Sequence, residues 1–331
     1  MNDITMPNIL YHYASMQKAY SILNYKNIRL SDITKSNDIN EMSIFFPTLF
    51  DEILNLFDEI HGFDNTFVYK AKLDRHALVL IINELKEQIE QEFQNGSIAT
   101  FVICLSEKGD LLSQWRGYAD DGKGLSIGLC AKELMEFIES SKRIYELVKV
   151  QYLSDDELKD WIKATAKDLL WLIDTILDAI KNGDVTFKTS SQFDENIYNT
   201  LYYNMLSYVE ESIRFKSDGF VEEAEWRFYI KNALNKEELN KDINSTNGVL
   251  NEEIRNELSE FVFNNVQFNA TENDIVPFIS LGFDSFNNNL ICDVKCGPNN
   301  KIRNKDLELL LRKYGYKSCV CSKSKITYIT R

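Results

Sequence analysis

The amino-acid sequence predicts an α+β fold with long helical insertions. Three observations point there. Strand-like runs are short and scattered, helical periodicity fills two long stretches at about 47–93 and 154–215, and the chain lacks both regular βαβ spacing and a G-x-G-x-x-G turn. No internal repeat is present, so residues 1–331 read as a single domain. Thirteen glycines and four prolines exclude collagen-like and Pro-rich disordered classes, and a 44% hydrophobic content supports a sizeable core.

Each element has a local reason. Residues 9–13 form a short apolar and aromatic run of strand character, and Ser15 is placed to cap a helix over 16–24. Residues 28–31 read as a second strand, followed by a polar loop over 32–41. Helices are predicted over 47–60 and 71–93, the latter with an apolar stripe of Leu73, Ala77, Leu80, Ile81, Leu85 and Ile89. Residues 98–105 are rich in β-branched side chains and read as a central strand. A short helix over 110–118, a Gly-containing turn at 120–124, a strand over 125–130, a helix over 131–142 and a strand over 148–153 follow. Ser154 is the natural cap of a long helix reaching Lys181, and a further helix spans 195–215. Alternation predicts a strand over 224–230. The Asn- and Glu-rich stretch 232–253 reads as the most mobile part, before a helix over 251–262. Strands over 275–281 and 290–296, a helix over 304–313 and a strand over 319–328 complete the chain.

The formal net charge of −14 disfavours generic coating of nucleic acid. The charge is uneven: residues 295–331 carry +8 and the preceding 294 residues carry −22. The N-terminus has neither a basic n-region nor an apolar stretch of signal length, and the longest apolar run is about five residues, against the roughly 20 that span a bilayer. A cytoplasmic protein without a membrane anchor is therefore expected. The six cysteines miss zinc-knuckle spacing, and no metal site is predicted.

Three groups of residues can carry chemistry. His12 lies inside the first predicted strand between Tyr11 and Tyr13, either as a hydrogen-bonded structural histidine or as a ligand contact; His61 and His76 sit in ordinary helical contexts. Ser106 ends a strand, and Trp115 and Tyr118 follow three apart on one helical face, where they stack on the core or on a planar heterocycle. Period-2 alternation puts Glu223, Glu225 and Arg227 on one face of a strand. Such a face is a solvated edge, an internal ion pair, or the anionic side of a site that stabilises a developing positive charge.

Together the segments resemble the bacterial DUF2971 family, whose function is poorly characterised. The resemblance rests on Ile9-Leu-Tyr-His12-Tyr-Ala-Ser15, Ser36-Asn37-Asp38-Ile39-Asn40-Glu41, Cys104-Leu-Ser106 and Leu112-Ser-Gln-Trp115-Arg-Gly-Tyr118. Phe215-Lys216 with Glu223-Ala-Glu225-Trp-Arg227, Val294-Lys-Cys-Gly297-Pro298 and Lys323-Ser-Lys325-Ile-Thr327-Tyr328 add to it. Ile39 stands where the family has proline, which makes that loop less rigid.

A second resemblance, to the ADP-ribosyltransferase fold, rests on a histidine in the first strand, a serine or aromatic in the next motif, and Glu223-x-Glu225 on a later strand. It implies a central mixed or antiparallel sheet and NAD as substrate. His12 would bond the ribose, with Tyr118 or Trp115 on the nicotinamide ring and Tyr13 in an aromatic wall. Glu225 would stabilise the oxocarbenium-like transition state, and Glu223 would orient or deprotonate the acceptor. Ser106 and Arg227 complete the implied site. The implied protein is an ADP-ribosyltransferase or NAD glycohydrolase, in the role of a bacterial toxin or phage-defence effector, with an unknown protein or nucleic-acid acceptor. The alternative is a non-catalytic module that binds a nucleotide or nucleic-acid end through the basic C-terminal segment. The long helices add a homo-oligomer to the expectations.

Overall fold

The computed structural model describes residues 6–33, 45–61, 75–94, 100–141, 144–183, 190–230, 261–270, 273–286 and 289–328. The elements in chain order are β1 (Ile9–Ala14), α1 (Met16–Tyr25), β2 (Asn27–Asp32), α2 (Phe45–His61), α3 (Arg75–Gln94), β3 (Phe101–Ser106), α4 (Leu112–Tyr118), β4 (Leu125–Cys130) and α5 (Ala131–Ser140). There follow β5 (Tyr145–Lys149), β6 (Gln151–Leu153), α6 (Asp155–Asn182), α7 (Ser190–Ser212), β7 (Phe215–Ser217), a 3-10 turn (Asp218–Glu223) and β8 (Glu225–Ile230). The chain closes with β9 (Val266–Ala270), β10 (Ile275–Gly282), β11 (Ile291–Cys296), α8 (Asn304–Lys313) and β12 (Val320–Lys323). The fold is α+β, as predicted, around a ten-stranded mixed sheet that is mostly antiparallel. Among the described residues its one parallel pair is β11 with β12; β6 and β7 form a separate parallel pair.

The centre of the sheet is β3. Along one edge β8 pairs with residues 102–106. A strand has two edges, so β1 and β2 share the other: Asp32 and Ser31 pair with Phe101 and Val102, and Tyr11 pairs with Ser106. Between those contacts, around Cys104, the sheet forks. One limb runs β1-β4-β11-β12 and the other β2-β10-β9.

Alternation along the strands buries two different faces. Leu10, Leu30, Ile103, Leu105, Ile127 and Phe228 pack against α1, α5 and α8. Val102, Val148 and Tyr229, on the opposite face, pack under α2, α3, α6 and α7. A small third cluster joins Tyr13, Trp115 and Ala119, with Ile326 of the C-terminal segment against it. Near it, a turn runs through left-handed Asp120, Asp121 and Gly122 (φ +48°, +53°, +80°). Gly124 follows where a β-carbon would come within 2.0 Å of the Ala14 carbonyl oxygen.

Several sequence expectations need correction. In α3 Leu80 is exposed, while Leu78 and Ile82 join Ile81, Leu85 and Ile89 in the core. The predicted strand 148–153 is two strands in different sheets, because Val150 donates its N–H to Glu225 and Gln151 donates its own to Arg214. The helix predicted to run to 215 stops at Ser212, and Phe215 opens β7. The last strand ends at Lys323; Ser324 and Lys325 then turn to Asp110, which draws the chain off the sheet. The stretch 232–253 expected to be mobile, most of the helix predicted over 251–262, and the motif around Ile39 lie outside the described residues.

Candidate functional site

The carboxylates singled out by the sequence converge, but not by strand alternation. Glu223 ends the 3-10 turn, and Ala224 adopts a left-handed conformation (φ +46°) before β8 starts at Glu225. The expectation that Glu223, Glu225 and Arg227 share one strand face is thereby corrected: a single left-handed residue takes Glu223 out of the strand. Lys216, on β7, brings it back. Its ammonium lies 2.8 Å from Glu223 Oε2 and 3.2 Å from Glu225 Oε2. Arg227 donates from Nε to Glu225 Oε1 at 2.9 Å and from a terminal nitrogen to the Ile213 carbonyl at 2.6 Å.

All four side chains are buried, so the pairing is obligatory: removal of one partner leaves a charge without water or counter-ion. Burial pushes the Glu225 carboxyl up, but Arg227, then Lys216 and a hydrogen bond from the Cys104 thiol, outweigh it and hold the group below the usual glutamate range. Tyr152 accepts the Glu225 backbone N–H at 2.8 Å and fixes the start of the strand. Tyr118 contacts Glu223 Oε1 at 3.4 Å and remains 41% exposed. Desolvation, then the Glu223 charge, raises its phenol above the ordinary range, which keeps it a donor.

The other expected residues fall around this group. Ser106 is buried; its hydroxyl donates to the Glu223 carbonyl at 2.6 Å and accepts the Lys108 N–H at 3.1 Å. Tyr13 and Trp115 meet edge to face at 4.8 Å; Tyr13 donates to the Lys108 carbonyl, and the Trp115 indole donates to Asp110. Both are buried, so of the aromatics proposed to face a ring only Tyr118 presents a surface. His12 is not brought to Glu225. It lies opposite Ile127 and between Leu10 and Ala14 in the alternation, on the sheet face away from the ion quartet. Its Nδ1 lies 3.1 Å from the Cys104 carbonyl. A carbonyl only accepts, so Nδ1 carries the proton and the ring is neutral or doubly protonated. Desolvation depresses its pKa and favours the neutral form. His12 thus replaces the missing ladder partner at the fork.

Sequence reasoning placed Lys216, Cys104 and Tyr152 in no site. Lys216 stands seven and nine residues before the two carboxylates, a separation that no regular period converts into contact. Among the described residues, no group of three or more His, Cys, Asp or Glu is placed to hold a metal ion, and no helix is long and apolar enough to cross a membrane.

What the geometry defines is a sheet-borne cluster of buried charges beside an open aromatic. Residues 114–228, which run from within α4 to within β8 and include Tyr118, Lys216, Glu223, Glu225 and Arg227, match the family DUF2971, a protein of unknown function. No curated protein and no solved structure matches the chain.

Proposed function

We propose that the protein consumes NAD, as an ADP-ribosyltransferase or NAD glycohydrolase. The observation that carries this reading is the convergence of Glu223 and Glu225 on the Lys216 ammonium beside the half-open ring of Tyr118. In the reaction the bond between nicotinamide N1 and ribose C1′ breaks, and its electron pair leaves with the ring and neutralises the pyridinium. Positive charge grows on the sugar, as in glycoside cleavage. Glu225 is kept ionised for that moment by Arg227 and Lys216, and its interaction with the sugar strengthens as the charge develops. Glu223 orients water or an acceptor hydroxyl and takes up its proton as the new bond to C1′ forms. Tyr118 packs on the nicotinamide. His12 acts as a positioning residue through the Cys104 backbone.

The test is incubation of the full chain with NAD and candidate acceptors, with chromatography for free nicotinamide and mass spectrometry for ADP-ribose. Glu225→Gln should lower the rate by about 100- to 1000-fold, with circular dichroism to confirm folding. No nicotinamide release by wild type across water, protein and nucleic-acid acceptors counts against the reading.

A second reading, a nucleotide or nucleic-acid-end binding module, draws on the C-terminal segment, where Lys301, Lys305, Arg312, Lys313, Lys317, Lys323 and Lys325 are all exposed. Salt-dependent oligonucleotide binding, abolished by charge reversal of those residues, would favour it.

A further inference from the structure

The fork leaves part of one sheet face open. Ser31 lies opposite Val102, and continuing that antiparallel count sets Arg29 level with Cys104. The count from Tyr11 opposite Ser106 sets Tyr13 level with the same residue. Side chains two positions apart share a face. Arg29, Ser31 and Cys104 therefore line one surface with Arg227, which lies directly opposite Cys104 on β8. Arg29, Ser31 and Cys104 are exposed there, although β2 and β3 are interior strands of the sheet.

Two features give this surface a chemistry. The Arg29 guanidinium stacks on Phe278, 4.5 Å from the ring centre. Stacking orients the planar group and consumes none of its five N–H donors. Among the described residues Arg29 forms no ion pair. The neighbouring quartet is balanced, two carboxylates against Lys216 and Arg227, so it does not neutralise Arg29. Among the described residues, the open face thus holds an oriented cation without an ion-pair partner.

We propose that the fork binds a phosphate-bearing ligand through Arg29, with Cys104 as its floor. The identity of the ligand rests on the reading above: Arg29 would hold the pyrophosphate of a dinucleotide whose nicotinamide ribose reaches Glu225. The backbones of Arg29 and Glu225 lie two residues and, because the fork draws β2 away from β3, at least two strand spacings apart, a minimum on the order of 12 Å. An arginine side chain and a ribose 5′-diphosphate together span that separation.

The experiment uses the exposed thiol as reporter. Cys104 in the full chain is alkylated with iodoacetamide and followed by peptide mass spectrometry, alone and with inorganic pyrophosphate or ADP-ribose. Wild type, Arg29→Lys and Arg29→Met are compared. Both anions should slow labelling of wild type and Arg29→Lys, and Arg29→Met should require about 10- to 100-fold more of either anion. Equal protection of wild type and Arg29→Met overturns the proposal, as does labelling that neither anion slows. If NAD is cleaved yet neither anion protects Cys104, this inference falls and the catalytic reading stands. If protection depends on Arg29 yet NAD is never cleaved, the phosphate site is supported and the catalytic reading falls.

Discussion

Glu225 is the residue at which burial and charge oppose each other most directly. Its carboxyl is depressed in the folded state because Arg227 and Lys216 outweigh desolvation. A depressed carboxylate contributes stability above its unfolded value, and that contribution is lost as pH falls through the lower folded value. Glu225→Gln should therefore cost about 3–5 kcal/mol at neutral pH, where it leaves the buried Arg227 without its carboxylate and the quartet with a net positive charge. The gap between variant and wild type should narrow once pH drops below the ordinary glutamate range. Unfolding midpoints from pH 7 to pH 3 measure it; a constant gap would show that the charge of Glu225 is not what matters. At the residue level, several of the side chains singled out by the sequence are brought together by the fold. The fold buries Glu225, Arg227 and Ser106 close to one another, and Tyr118 reaches Glu223. His12 was read correctly as a strand residue, but its partner depends on where β1 leaves β3, and no local pattern encodes that departure. Lys216 was hidden for a similar reason, since the 3-10 turn and left-handed Ala224 that fold it back have no periodic signature.

At the scale of elements, the C-terminal segment binds α4 into place. Asp110 accepts from the Trp115 indole at 2.8 Å, from Ser324 Oγ at 2.6 Å and from the Lys325 backbone at 2.8 Å. Tyr328 bonds Asp121 at 2.9 Å, and Ile326 packs against the Tyr13–Trp115 pair. Asp110→Ala releases the strap and leaves the buried indole N–H without its acceptor. A loss of about 3 kcal/mol is expected, with a red shift of tryptophan emission as α4 loosens; unchanged denaturant midpoint and emission would refute it. Sequence pattern saw an extended run to Tyr328 and read it as one strand. The strand holds as far as Lys323, but sheet membership depends on hydrogen-bond partners, and beyond it Asp110 supplies them from more than 200 residues away. Capping was more legible: Ser154 and Glu157 bond reciprocally at the start of α6, as their spacing implies.

At the scale of the molecule, β3 and β8 belong to both large cores at once. Val102 and Tyr229 pack under the long helices, whereas Ile103 and Phe228 face α1 and α5 on the other side. Neither core can lose its packing without exposing the back of the other. Calorimetry should therefore give one unfolding transition with equal calorimetric and van't Hoff enthalpies; two resolved transitions would mean that the helical layer melts by itself. The fork also has a consequence during synthesis. β3 takes its partners from residues 11–32 and from 225–229, and β4 waits for β11, which begins at Ile291. Until residues 291–296 have left the ribosome, the edge of β4 stays open. Nascent chains stalled before Ile291 would present that edge to one another, which makes the order of emergence, rather than final stability, the point at which this protein is most exposed to aggregation.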